Sequence, residues 1–86
     1  MTENTLYTKA GCVYCDRVKE HLKNRAVSYT EVRIDHSVEN LDELKSRLPG
    51  VKTVPQFFVG SVHVGGCDET IMYLADVYGP TNKSIV

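Results

Sequence analysis

Cys12 and Cys15 are the residues of this chain best placed to do chemistry. In a reducing compartment, the C-x-x-C spacing points to redox chemistry or to a metal. Cys12 falls where a loop, Lys9-Ala10-Gly11, meets a helical pattern that begins at Val13. Backbone N–H groups at such a junction lack helical acceptors, and the helix dipole puts partial positive charge there. Both favour thiolate over thiol, so the Cys12 pKa is expected below the free value of about 8.5. Lys9 adds a nearby cation. Cys15, almost a turn further in, is close enough to bond Cys12 and less exposed. Cys12 is therefore expected to attack a disulfide, and Cys15 to resolve the mixed intermediate. Either cysteine alone would read as a cap or as core filling; the pair at this junction argues for redox chemistry.

A zinc set of Cys12, Cys15, His63 and Cys67 has ligand-like spacing between its last two members. However, His63 lies in an apolar strand segment rather than on a knuckle, and it reads as an outward-facing strand residue. No metal site is expected. His21 and His36 read as surface residues.

Two further segments could make a site. In Thr53-Val54-Pro55, the proline stands directly before the apolar run Gln56 to Val59. A proline cannot donate to a strand ladder, so it belongs at the strand's start. A cis bond there would turn the Val54 backbone outward to pair with an extended peptide; a trans bond would simply start the strand. In Gly65-Gly66-Cys67-Asp68-Glu69, glycines precede a helix start with acidic residues. Free N–H groups there can bind a carboxylate, while Asp68 or Glu69 meets an ammonium group. A γ-glutamyl end carries both groups. The plainer alternative is a turn with a capping aspartate.

The elements that must hold these residues can be read from periodicity. Leu6 to Thr8 is β-prone. Val13 to Arg25 is helical, with Val18 and Leu22 one turn apart and Cys15 on the same side. Ser28 to Ile34 alternates as a strand does. A second helix is expected from Asn40 as cap, with Glu43 completing a capping box and Leu41, Leu44 and Leu48 as the buried stripe. Gln56 to Val59 and Val62 to Val64 make a hairpin about Gly60-Ser61. Asp68 is expected to cap a last helix bearing Ile71, Leu74, Ala75 and Tyr78. The first strand, helix and strand form a right-handed unit with parallel strands, and helices cover both faces of one small mixed sheet.

With 86 residues, the chain is expected to be a single domain, with 79–86 as a flexible tail. A hydrophobic content of 42% suits a folded protein. Ten basic residues against eleven acidic ones leave no cationic surface for nucleic acid. No stretch approaches a membrane span and residues 1–8 hold no apolar signal core, so a cytoplasmic protein is expected; it is also expected to be a monomer. Three cysteines, an odd number, do not suit a structural disulfide framework.

Taken together, Thr8-Lys9-Ala10-Gly11-Cys12-Val13-Tyr14-Cys15, Thr53-Val54-Pro55-Gln56 and Gly65-Gly66-Cys67-Asp68 resemble the glutaredoxin family over residues 5–78. The resemblance implies an α/β protein of thioredoxin-like fold, a four-stranded mixed sheet flanked by three helices, with a cis peptide before Pro55. It implies a glutathione–disulfide oxidoreductase acting on protein disulfides, such as that of ribonucleotide reductase, and on protein–glutathione mixed disulfides. Glutathione, the co-substrate, would lie in a groove formed by Lys9, Tyr14, Lys52, Thr53, Val54, Pro55, Gly66, Cys67, Asp68 and Glu69. Its sulfur would meet Cys12, its cysteinyl backbone Val54, its γ-glutamyl carboxylate the N–H groups of Cys67 and Asp68, and its glycyl carboxylate Lys9 or Lys52. Tyr14 would flank the sulfur. One departure is Val13, where many members have proline; it restores an N–H near Cys12 and is expected to change the redox potential. Two alternatives fit the same fold: a redoxin reduced by a flavoprotein reductase, and a carrier of a glutathione-ligated [2Fe-2S] cluster.

Overall fold

The computed structural model describes residues 3–79. In chain order the elements are β1 (Asn4–Thr8), α1 (Val13–Asn24), β2 (Thr30–Arg33), α2 (Val38–Arg47), β3 (Gln56–Val59), β4 (Val62–Gly65) and α3 (Cys67–Tyr78). The strands form one sheet in the order β2-β1-β3-β4. β1 runs parallel to β2, with Thr8 beside Arg33, and antiparallel to β3, with Leu6 beside Phe57. β3 and β4 are the expected antiparallel hairpin. The sheet is thus mixed, with three helices, as the resemblance implied. Apart from Gly79, the expected tail lies outside the described residues.

Successive side chains of a strand point to opposite faces, so β1 supplies two cores. Leu6 joins Val18, Leu22, Val27, Phe57 and Leu74 beneath α1 and α3. Tyr7 joins Leu44 and Phe58 beneath α2. The Tyr7 and Phe58 rings meet edge to face at 5.7 Å, and the Tyr7 hydroxyl donates to Glu43 Oε2 at 2.5 Å. Burial, then that bond, pushes the Tyr7 pKa up to about 12. On the other face, Arg25 Nε donates to Gly79 O at 2.8 Å, while its Nη1 lies 3.0 Å from His21 Nδ1. This contact joins the C-terminal ends of α1 and α3.

The helix starts differ from expectation in two places. α2 begins at Val38, where Ser37 Oγ accepts the Asn40 N–H at 3.1 Å. Asn40, expected as the cap, instead donates from Nδ2 to Arg33 O at 2.8 Å, and Glu43 is engaged by Tyr7. α3 begins at Cys67 with Gly66 as its cap, so Asp68 lies inside the first turn. Its buried residues are Thr70 and Leu74, whereas Ala75 and Tyr78 are exposed. β2 is also shorter than its alternating pattern, starting at Thr30. Among the described residues, no helix is long and apolar enough to cross a membrane.

Candidate active site

The site is built at the ends of β1 and β3 and the starts of α1 and α3. After Thr8 the chain turns through Gly11, whose φ of 71° lies where glycine is at ease, and delivers Cys12 as the N-cap of α1. Cys12 and Cys15 are joined as a disulfide, their Cα atoms 5.2 Å apart. Cys12 retains 8% exposure and Cys15 none, so an incoming thiolate reaches the Cys12 sulfur first. Cys12 Sγ accepts the Cys15 N–H at 3.1 Å, one of the amides that helix geometry leaves free. Beside them Val13 and Tyr14 are exposed, and the Arg17 guanidinium sits 5.4 Å over the Tyr14 ring.

One residue of this region was not anticipated. Asp35 Oδ2 accepts the Ala10 N–H at 3.2 Å and fixes the loop that carries Cys12. Arg33 grips the same carboxylate through Nε at 2.8 Å and Nη2 at 2.7 Å. That fork, with the Ala10 bond, holds the Asp35 carboxyl well below the usual carboxylate range. The parallel register explains the meeting: Thr8 and Arg33 are neighbours, so the residues two beyond each strand end fall together. Sequence alone offers only the Arg33-x-Asp35 spacing as a signal.

The Val54–Pro55 peptide is cis, and Val54 O lies 3.7 Å from Cys12 Sγ. Gln56 braces this loop by donating from Nε2 to Thr53 O at 3.1 Å, and His63 Nε2 lies 2.7 Å from Gln56 Oε1. His63 therefore pairs with Gln56. Among the described residues, no three His, Cys, Asp or Glu converge as metal ligands.

At α3, the first intrahelical bond runs from Thr70 N to Gly66 O at 3.0 Å. The N–H groups of Cys67 and Asp68 precede it and have no acceptor within the helix. Glu69 Oε1 accepts the Gly66 N–H at 3.0 Å, so this carboxylate is committed to the helix start. Gly65 makes that possible: its φ is 138°, and a Cβ there would sit 2.6 Å from Glu69 Cβ. Burial, then the Asp68 charge, pushes the Cys67 thiol pKa up, which marks it as a poor nucleophile.

Tyr14, Thr53, Val54, Pro55 and the Gly66–Glu69 turn line one open groove. Lys9 and Lys52 line a smaller hollow that shares Thr53 and Val54 with it. The structure thus gathers the residues expected to hold glutathione into two adjoining depressions that share Thr53 and Val54, while Cys12 and Cys15 line neither and Cys12 approaches them at the Val54 carbonyl.

The family model described as Glutaredoxin matches residues 4–64. The chain is 39% identical over 79 residues to "Glutaredoxin 3" of Escherichia coli K12, covering 92% of each chain. The solution structure of a glutaredoxin from Brucella melitensis superposes with a TM-score of 0.69 at 39% identity, covering 88% of this chain and 80% of that one. A crystal structure of a buckwheat glutaredoxin–glutathione complex gives 0.74 at 26% identity, covering 91% and 73%.

Proposed function

The chain belongs to the glutaredoxin family of thiol–disulfide oxidoreductases, and on that premise we propose that it uses glutathione to reduce protein disulfides and protein–glutathione mixed disulfides. The observation that carries the reading is the position of Cys12. It is the more exposed of the pair, its sulfur takes the Cys15 N–H, and it faces the carbonyl of Val54, a residue lining the groove that ends at the first turn of α3. The glutathione complex of the buckwheat relative supports the choice of co-substrate.

Once reduced, the Cys12 thiolate attacks the glutathionyl sulfur of a mixed disulfide. The Cys12–glutathione bond forms, the original S–S bond breaks, and the protein leaves as a thiolate that takes a proton from water. A second glutathione thiolate then attacks the glutathionyl sulfur, freeing Cys12 and releasing oxidised glutathione. With a protein disulfide, Cys15 attacks Cys12 instead, giving the Cys12–Cys15 disulfide; two glutathiones return it to the dithiol.

In the groove, the γ-glutamyl carboxylate takes the amides of Cys67 and Asp68, and the Asp68 carboxylate takes the ammonium, because Glu69 is already engaged by Gly66. The cysteinyl backbone lies along Val54, flanked by Thr53, Pro55 and Tyr14. The glycyl carboxylate points toward Lys9 and Lys52. In this reading the protein works as a monomer in a reducing cytoplasm, with ribonucleotide reductase among its candidate partners.

The test is a glutathione-coupled assay on three proteins. Cys15→Ser is expected to keep turnover of a glutathione mixed disulfide and to lose reduction of a protein disulfide, while Cys12→Ser loses both. Turnover retained by Cys12→Ser would overturn the scheme. Supplying a flavoprotein thioredoxin reductase as the sole electron donor is expected to support little turnover; efficient turnover would favour a reductase-dependent redoxin.

A further inference from the structure

The hollow on the Lys9 side of Val54 has a composition that glutathione does not explain. It holds about 80 Å³, roughly half of an apolar cavity of about 150 Å³ that admits benzene. Its walls include Ile34, Leu41, Leu44 and Val51. Leu44 is buried, while the other three are half-buried and keep apolar surface turned to water. Lys9 and Lys52, both exposed, line it as well.

Through Thr53 and Val54 the hollow is continuous with the groove that ends at α3. A peptide whose γ-glutamyl end meets α3 and whose cysteine lies along Val54 must run its next residue toward this hollow. In glutathione that residue is glycine, which has no side chain to cover an apolar wall.

Resting on the glutathione reading above, we propose that the hollow is a substrate subsite for an aliphatic side chain on the residue directly after the reacting cysteine. A carboxylate beyond that residue meets Lys9 and Lys52. The volume favours a side chain of valine size, and the paired lysines favour a chain that ends or turns acidic there. A small γ-glutamyl thiol and a protein chain with a Cys-aliphatic sequence carry the same recognised groups, and the hollow reads the chemistry they share. When Cys12 attacks the peptide sulfur of a mixed disulfide, the aliphatic residue enters the hollow as the other thiolate departs.

Four mixed disulfides with 2-mercaptoethanol test this, each offered to the wild-type protein with glutathione as reductant and followed by chromatographic loss of the substrate. The peptides are γ-Glu-Cys-Gly, γ-Glu-Cys-Val, Ala-Cys-Gly and Ala-Cys-Val. Because one methylene in a closed apolar pocket can discriminate by about tenfold or more, a partly open hollow is expected to raise kcat/KM for valine over glycine by roughly threefold. That preference in either scaffold supports the subsite, and the scaffold showing it says whether the occupant is a small thiol or a protein chain. No preference in either overturns the subsite, and the glutathione reading stands if γ-Glu-Cys-Gly is still turned over. Loss of γ-Glu-Cys-Gly turnover alone, with Ala-Cys-Val still reduced, overturns the glutathione reading instead. Leu41→Phe adds bulk to the hollow and is expected to bring the valine-to-glycine ratio toward one, with Val51→Ile as a second variant should Leu41→Phe lose its fold. An unchanged ratio in a folded variant overturns the location.

Discussion

At the scale of single residues, the reactive sulfur depends on groups that do not themselves react. The Cys15 amide and the start of α1 favour ionised Cys12, so an ultraviolet titration of the reduced protein should show thiolate forming well below about pH 8.5. Cys67 should titrate above its usual range, and Cys67→Ser leaves the low-pH step in place. Asp35 acts through the loop: Asp35→Ala removes the acceptor of Ala10 N–H and the anchor of Arg33. Its expected signature is a several-fold fall in kcat/KM for glutathione mixed disulfides that Asp35→Asn partly restores. Gly65→Ala should destabilise the protein by roughly 2 kcal/mol or more in urea unfolding, because alanine is strained at φ 138° and its Cβ meets Glu69. The placing of Cys12 and Cys15 at the start of α1 was legible in the sequence because local spacing fixes it, whereas the cis bond before Pro55 followed only from the family resemblance. Asp35 was not legible, because its role exists only once β1 and β2 lie side by side.

At the scale of elements, the same distinction decides which boundaries were legible. Ser37 and Asn40 are both good cap residues; what selects Ser37 is that Arg33 O takes the Asn40 amide, a contact across a turn. At α3, Gly66 displaces Asp68 as cap because Gly65 adopts a φ that lets Glu69 fold back. The helix contacts also carry pH dependence. Burial, then the charge of Arg25, lowers the His21 pKa below its usual 6.5. The unfolded chain therefore protonates more readily, so this contribution to stability is intact above about pH 6.5 and is lost as pH falls through the lowered folded value. Between about pH 7 and 5, the Tm of the wild type should fall further than that of His21→Gln. Tyr7 works in the opposite direction. Its folded pKa of about 12 exceeds the unfolded value near 10, so its contribution holds below about pH 10 and is lost on rising toward the folded value. Tyr7→Phe should remove the latest-titrating phenol.

At the scale of the whole molecule, near-neutral net charge conceals a separation of charge along the groove. Lys9 and Lys52 stand on one side of Val54, Asp68 and Glu69 on the other. These groups are exposed and open to screening. Raising salt from about 0.05 to about 0.5 M should raise KM for glutathione mixed disulfides a few-fold and leave kcat nearly unchanged. The fold class itself was legible because the strand and helix order, with two apolar faces on β1, admits few packings. β1 also lies between β2 and β3, and its Leu6, Tyr7 and Thr8 are fully buried. Amide protons held there exchange only when the domain opens as a whole. The loop bearing Cys12 is thus tethered to the part of the protein that should gain deuterium last; changing the oxidation state of the pair should alter labelling most in the loop, and that of Leu6 to Thr8 only in step with the stability of the whole fold.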